Sequence, residues 1–456
     1  MLVGTALVSF QGGLLRVAYP SIRADLQASI PAMEVVSIAG LVVTIATVVI
    51  FGRLADLVGP RRIYSTGLAA FAAGGAASAF APGVGLLAAA QAAQGLGWSM
   101  AVASATPLLV SAFPAEMRGR VVAASHMAVA VGLAMGPGLG GLVVEHLGWR
   151  VALGSVAPMA LLLGLLVGRS LPADAPAGPR PHFDVAGSAA LAVALAALVV
   201  FVDRGGHGDL DPVALAALAV VALGAFAAFL VVESRSPAPT VDLRLFGTLA
   251  FSAGLAASFF NFVAMASNMF LMPFFLQEAL GMSAGRAGTV MMAMPLGVLV
   301  AAPVAGRMAD RLGSRLPATL GMAVITATIG LMATFTDAVS APEVAGVLLV
   351  YGLGAGLFQS PNISGVLGAA PSARIGVASG TLSTVGRLGQ VVGVAVAGGI
   401  WDRGTDGTSA AGVAGFRQAF VVLALFGVLA TSASWLRGRV AAGPTPAADS
   451  LAEHPG

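Results

Sequence analysis

Two arginines stand inside long apolar runs, Arg16 within residues 2–22 and Arg387 within 377–400. A guanidinium surrounded by hydrocarbon is costly unless it faces a cavity or a partner, so each is a candidate for substrate binding or coupling. For Arg16 the alternative is snorkelling to the interface, six residues away. For Arg387, which lies deeper, the alternative is a structural hydrogen-bonding role. Gln11, Gln91, Gln94, Asn261, Asn268, Gln359, Ser360 and Asn362 are further polar groups in apolar surroundings. They either line a pathway or tie helices together. The tract Gln359-Ser360-Pro361-Asn362 stands out, because a proline inside a helix frees backbone groups beside three polar side chains. His126 titrates near neutral pH, although a lone histidine also serves as a hydrogen-bonded packing residue. Met291, Met292 and Met294 read as adaptable apolar packing.

Enzyme chemistry lacks its parts. Five histidines are scattered, cysteine is absent, and the apolar runs hold no paired carboxylates and no phosphate-cradling glycine loop. No catalytic residue, cofactor or metal site is expected. Without cysteine, disulfides are excluded. The net charge is only +3 and every basic side chain is arginine, which gives no support for a nucleic-acid partner. The missing lysine fits GC-rich coding.

The elements that must hold these residues are membrane helices. Only 9% of residues are charged, 58% are hydrophobic and the mean hydropathy is +0.93, whereas soluble domains carry roughly 25% charged residues. The runs lack the alternation of a barrel, so helices of roughly 20 residues satisfy the backbone in lipid. Six runs fall at 2–22, 35–51, 63–81, 84–113, 121–144 and 151–167. Two more fall at 185–202 and 212–232, and six at 250–276, 287–305, 317–335, 344–367, 377–400 and 419–436. The N-terminus enters apolar sequence without a basic region or cleavage site, which argues against a removed signal peptide.

The chain is internally duplicated. Gly52 to Arg62 returns as Gly306 to Arg315, Gly95-Leu96-Gly97 as Gly352-Leu353-Gly354, and Arg118 as Arg374, at separations of 254, 257 and 256 residues. Duplicated bundles are the mark of secondary transporters. The expected organisation is a six-helix bundle at 1–168, linkers with two inserted helices at 169–246, a second bundle at 247–437 and a cytoplasmic disordered tail at 438–456. Fifteen arginines fall on one face and six on the other, which puts both termini in the cytoplasm.

These motifs resemble the major facilitator superfamily and, within it, the fourteen-helix drug:proton antiporters. Gly52, Arg53, Asp56, Gly59, Arg61 and Arg62 look like the signature loop between the second and third helices, with Gly306, Asp310 and Arg311 as its echo. The resemblance implies a latch for one access state. Physically, Gly52 is expected to let two helices approach, and both tracts to form tight loops. Gly132, Gly136, Pro137, Gly140 and Gly141 resemble the antiporter signature of the fifth helix, whose alternative reading is a generic small-residue packing seam. Residues 233–246 resemble the connector before the ninth helix, and Arg387-Leu388-Gly389-Gln390 an element of the thirteenth. The implied fold is an all-α integral membrane protein of two six-helix bundles plus two inserted helices, fourteen transmembrane helices in all.

Two departures from the family matter. Gln11 stands where the first helix usually carries an aspartate, and Gln91 where the fourth carries an arginine. Arg16 adds a cation. The expected function is export of small amphipathic molecules across the bacterial cytoplasmic membrane by alternating access, coupled to protons, by a monomer. His126, Asp25 and Glu34 are candidate proton carriers. Loss of the acid and gain of Arg16 favour neutral or anionic substrates. A lipid or glycolipid flippase and a non-transporting membrane receptor are the alternatives.

Overall fold

The structure, a computed structural model, describes residues 2–112, 117–170, 193–194, 197, 201, 211–235, 243–371, 374–404 and 409–437. It is helical throughout this region. The first set is α1 (Leu2–Leu26), α2 (Ile30–Val58), α3 (Pro60–Ala79), α4 (Val84–Ala112), α5 (Arg118–Gly154) and α6 (Val156–Ser170). α7 (Pro212–Arg235) is mostly exposed. The second set is α8 (Leu249–Phe274), α9 (Ala284–Met291), α10 (Ala293–Leu312), α11 (Arg315–Met332), α12 (Ala341–Gly368), α13 (Ile375–Gly404) and α14 (Ser409–Leu436). Among the described residues, nine stretches are long and apolar enough to cross a membrane. The inserted run at 185–202, the linker at 171–184 and the tail at 438–456 lie outside the described residues, wholly or nearly so.

Local chemistry sets the helix ends. Ser29 caps α2 by accepting from the Ala32 N–H, with Pro31 in the first turn, where no donor is missed. Ser340 and Glu343 form a capping box at the start of α12, the Ser340 N–H donating to Glu343 Oε2 at 2.8 Å. The run expected as one span at 287–305 lies within one apolar stretch, Ala284–Leu312, whose helical hydrogen bonding is interrupted at Met292 between α9 and α10, because Pro295 has no N–H to offer the Met291 carbonyl.

The duplication is built into the packing. α1 lies along α5, α2 along α4 and α3 along α4 and α6; in the second set α8 lies along α13, α10 along α12 and α11 along α12 and α14. The glycine landmarks explain the close approach. A Cβ on Gly97 would meet the Gly67 carbonyl oxygen at 2.5 Å, and one on Gly354 would meet that of Gly321 at 2.9 Å. The two sets touch chiefly where α5 meets α9 and α2 meets α13.

The signature tracts are not loops. α2 runs to Val58 and turns into α3 through Gly59 alone (φ 107°), and α10 turns into α11 through Gly313 (φ 75°) and Ser314. Both corners need the positive φ that glycine tolerates. The approach expected at Gly52 is absent, since its Cβ position lies 3.9 Å from Ala103 Cβ, an ordinary contact, and Gly306 faces open space.

Candidate functional site

A cavity of about 630 Å³ lies between the two helix sets, walled by α1, α2, α4 and α5 on one side and α8, α12 and α13 on the other. Gln11, Arg16, Gln91, Gln94, Gln359, Asn362 and Arg387 all line it. The sequence therefore marked its polar wall. Asn268 does not reach it. Together with Arg16 it borders a small adjoining void lined by Met269, Met272, Met291 and Met294, and its Nδ2 lies 4.0 Å from Met294 Sδ. Ser360 is exposed, and the side chain of His126 is outside the described residues.

The amides at the two expected departures, Gln11 and Gln91, do not meet each other. Gln11 Nε2 donates to Gln94 Oε1 at 3.3 Å, so the partner of Gln11 is Gln94; Gln91 donates to Ser78 Oγ on α3 at 3.2 Å. Gln11 Oε1 and Gln94 Nε2 remain buried without partners. The Arg16 guanidinium faces the cavity, and its Nη1 is buried with no acceptor. Arg387 reaches across from α13 to lie over the Trp98 ring of α4, Cζ to centroid 4.7 Å, with Nε buried and unpaired. Such cation–π contact offsets part of the desolvation of a guanidinium. Among the described residues no Asp or Glu lines the cavity.

Beyond the cavity, at the end marked by Arg23, the two sets are fastened together. Arg23 on α1 pairs with Glu278 at 2.5 Å, Gln277 donates to the Val17 carbonyl at 2.9 Å, and the Gly285 N–H of α9 donates to Glu145 of α5 at 2.8 Å. Asp25 is held by Arg150 and by the Trp149 indole within the first set. Tyr19 packs on Phe270 and Phe274 of α8 at 5.8 and 6.2 Å. Aromatic area of this kind seals against water.

Glu34 corrects the sequence-based span. The apolar run begins at Val35, but α2 begins at Ile30, so Glu34 lies within the helix and is fully buried. Its carboxyl rests against Gly398 of α13, where a Cβ would collide with it. Glu34 thus sits on a seam between the sets.

The glycine motif of α5 divides between two neighbours. Gly132, Gly136 and Gly140 press on α1: a Cβ on Gly136 would stand 2.5 Å from the Phe10 carbonyl oxygen, and one on Gly140 2.8 Å from Leu14 Cβ. Gly141 instead meets α9 at Ala284, and Pro137 touches both neighbours, its ring against Gly13 of α1 and its carbonyl against Gly288 of α9. In the second set Gly389 presses on the Phe259 carbonyl of α8 at 2.5 Å, and Gly393 on that of Val263.

Sequence reasoning missed the rings and hydroxyls of the cavity wall, such as Trp98, Phe262, Thr44 and Ser258, and also Arg437, which bonds the wall residue Asn362. Arg437, expected on an exposed arginine-rich face, is 2% exposed and donates to Asn362 Oδ1 at 2.6 Å and to the Ser314 carbonyl at 3.3 Å. Asn362 in turn donates to Ser258 Oγ at 2.7 Å. The only signal was its place at the end of the last apolar run. The side chains of Arg53 and Asp56 lie outside the described residues, Arg61 is half-buried, and Arg62, Asp310 and Arg311 are exposed. Among the described residues no His, Cys, Asp or Glu cluster could hold a metal.

Two similar helix sets enclosing a cavity of mixed apolar and polar lining, with apolar exteriors long enough to span a bilayer, define a membrane transporter of the two-bundle kind. The chain belongs to the Major Facilitator Superfamily, whose model matches residues 1–394 and 254–454. It is 27% identical over 393 residues to the riboflavin transporter RibZ of Clostridioides difficile, covering 86% of this chain and 85% of that protein. It is 29% identical over 404 residues to the tetracenomycin C resistance and export protein of Streptomyces glaucescens, covering 87% and 74%. Among solved structures, a bacterial homolog of the human lysosomal transporter Spinster, inward-facing and occupied, superposes with a TM-score of 0.72 at 12% identity over 96% of this chain and 95% of that one. That likeness carries the fold alone.

Proposed function

We propose that the protein exports small amphipathic organic molecules across the bacterial cytoplasmic membrane, as a monomer, by alternating access of the bundles 1–168 and 247–437. The observation that carries this reading is the central cavity between the bundles, with a cross-bundle ion pair and two cross-bundle hydrogen bonds on its Arg23 side and the Arg387–Trp98 contact within it. A site at the pseudo-symmetric interface can be offered to either face by rocking one bundle against the other. The arginine bias assigns the Arg23 end to the outside, so the cavity faces the cytoplasm. The named relatives RibZ and the tetracenomycin C export protein support a small organic substrate.

Protons are the coupling ion in this reading. Of the candidate carriers, Asp25 pairs with Arg150 within one bundle, and Glu34 is a buried carboxyl on the seam between the bundles, which opens when they rock. Burial in a gap that is wetted in one state and dry in the other is what couples protonation to movement. The test is substrate uptake by inside-out vesicles with and without an imposed pH gradient. Gradient-driven accumulation supports the reading, and no flux under either condition refutes it.

A further inference from the structure

We infer that the cavity selects amphipathic organic anions, held between Arg16 of one bundle and Arg387 of the other; this rests on the export reading above only for its physiological direction. A guanidinium keeps its charge at any physiological pH, unlike an amine, which can shed its proton when buried. Each of these two therefore needs negative charge or strong acceptors close by. Arg16 Nη1 and Arg387 Nε are buried without acceptors, and among the described residues the cavity wall holds no carboxylate.

The carboxylates nearby along the elements that pack on α1 and α13 are engaged elsewhere. Glu278 pairs with Arg23, Asp25 with Arg150, Glu145 caps α9, and Glu34 rests against Gly398 outside the cavity wall. Two fixed cations and no anion leave a positive field in a low-dielectric pocket, which attracts one sign of ligand and repels the other. The rest of the wall fits a hydrogen-bonding, partly aromatic ligand. Gln11 Oε1, Gln94 Nε2 and Asn261 Oδ1 are unfilled, while Trp98, Phe71 and Phe262 supply ring surface. A volume of about 630 Å³ suits a molecule of drug size. Because the two arginines belong to different bundles, a bound anion also bridges the halves.

The experiment is calorimetric titration of the purified full-length protein in nanodiscs with a matched set: 4-phenylbutyrate, 4-phenylbutylammonium and neutral 4-phenylbutan-1-ol, repeated with the naphthyl analogues. The carboxylates should bind at least about tenfold more tightly than the ammonium ions, and Arg16→Gln and Arg387→Gln should each cost the carboxylates about tenfold, the scale of one charge-assisted contact. Affinity for the alcohol should stay unchanged, which also shows that the variants are folded. Arg16→Lys should retain the anion preference. Ammonium ions binding as tightly as carboxylates, no carboxylate binding at millimolar concentration, or a preference untouched in both glutamine variants would overturn the proposal. Vesicle flux separates it from the export reading. Efflux of cations without carboxylate binding overturns the anion site alone, whereas carboxylate binding without any flux overturns export alone.

Discussion

Arg437 closes α14 with its guanidinium inside the protein, and the energetics of that position follow from its partners. It bonds both Asn362 in the cavity wall and Ser314 at the corner between α10 and α11, so its loss strands a buried amide oxygen and a buried carbonyl. Arg437→Ala should cost about 2 kcal/mol, the penalty for unpaired buried acceptors, and lower the thermal unfolding midpoint in detergent. Exposed Arg311→Ala should leave it unchanged. Glu34 makes a separate prediction. Glu34→Gln should retain substrate exchange at equal concentrations on both sides but lose accumulation driven by a pH gradient, because exchange needs no net proton movement. Accumulation at the parent level would remove Glu34 from the coupling path. Neither role was legible in the sequence in full. An arginine at a helix end and a glutamate one residue before an apolar run both read as interfacial, and only the packing of α11, α12 and α13 around them decides that they are buried.

Elements are positioned by glycines whose missing side chains face a neighbour's backbone. Gly136→Leu should push α5 off α1, cost about 1 to 3 kcal/mol locally and abolish transport while the protein still reaches the membrane. Gly393→Leu, its counterpart between α13 and α8, should do the same, and Gly330→Leu, which faces open space, should transport normally. Flux measurements alongside membrane yield check all three. The α5 motif was visible as glycines spaced by four, and the repeat offset pairs it with α13. What spacing did not reveal was the split by face, Gly136 and Gly140 toward α1, Gly141 toward the other bundle. The single span expected over 287–305 stands within Ala284–Leu312, and Pro295 interrupts only its hydrogen-bond ladder at Met292. The Gly52 tract misled in another way: its charges read as a loop, yet helix α2 carries them to the single turn-forming residue Gly59.

At the scale of the molecule, the duplication in sequence became a duplication in packing, and most of the amides and both arginines flagged within apolar runs line one cavity, while Asn268 borders the adjoining void and Ser360 is exposed. The convergence follows from physics, since a polar group in a membrane helix is tolerated facing other helices or water but not lipid. Sidedness is a prediction here. Reporter fusions after Leu436 should report a cytoplasmic C-terminus, and activity of an externally active reporter there would invert the assignment. The seal at the Arg23 end is open to a direct test as well, because the chain has no cysteine of its own. Arg23→Cys combined with Glu278→Cys, joined by a short bifunctional reagent, should stop transport, and cleaving the linker should restore it.

The contact between Glu145 and α9 carries a consequence for timing. An eight-residue helix capped by its own Ser283 has a further first-turn N–H, that of Gly285, satisfied by a carboxylate from the opposite bundle, so parting the bundles and freeing that amide are one event. That amide is then a clock for the cycle. Deuterium should enter Gly285 each time the Arg23 end opens, faster when substrate drives turnover, while Arg286, held by Ser283 of its own bundle, should not follow it, and Glu145→Gln, with a weaker acceptor, should make that clock run fast even at rest.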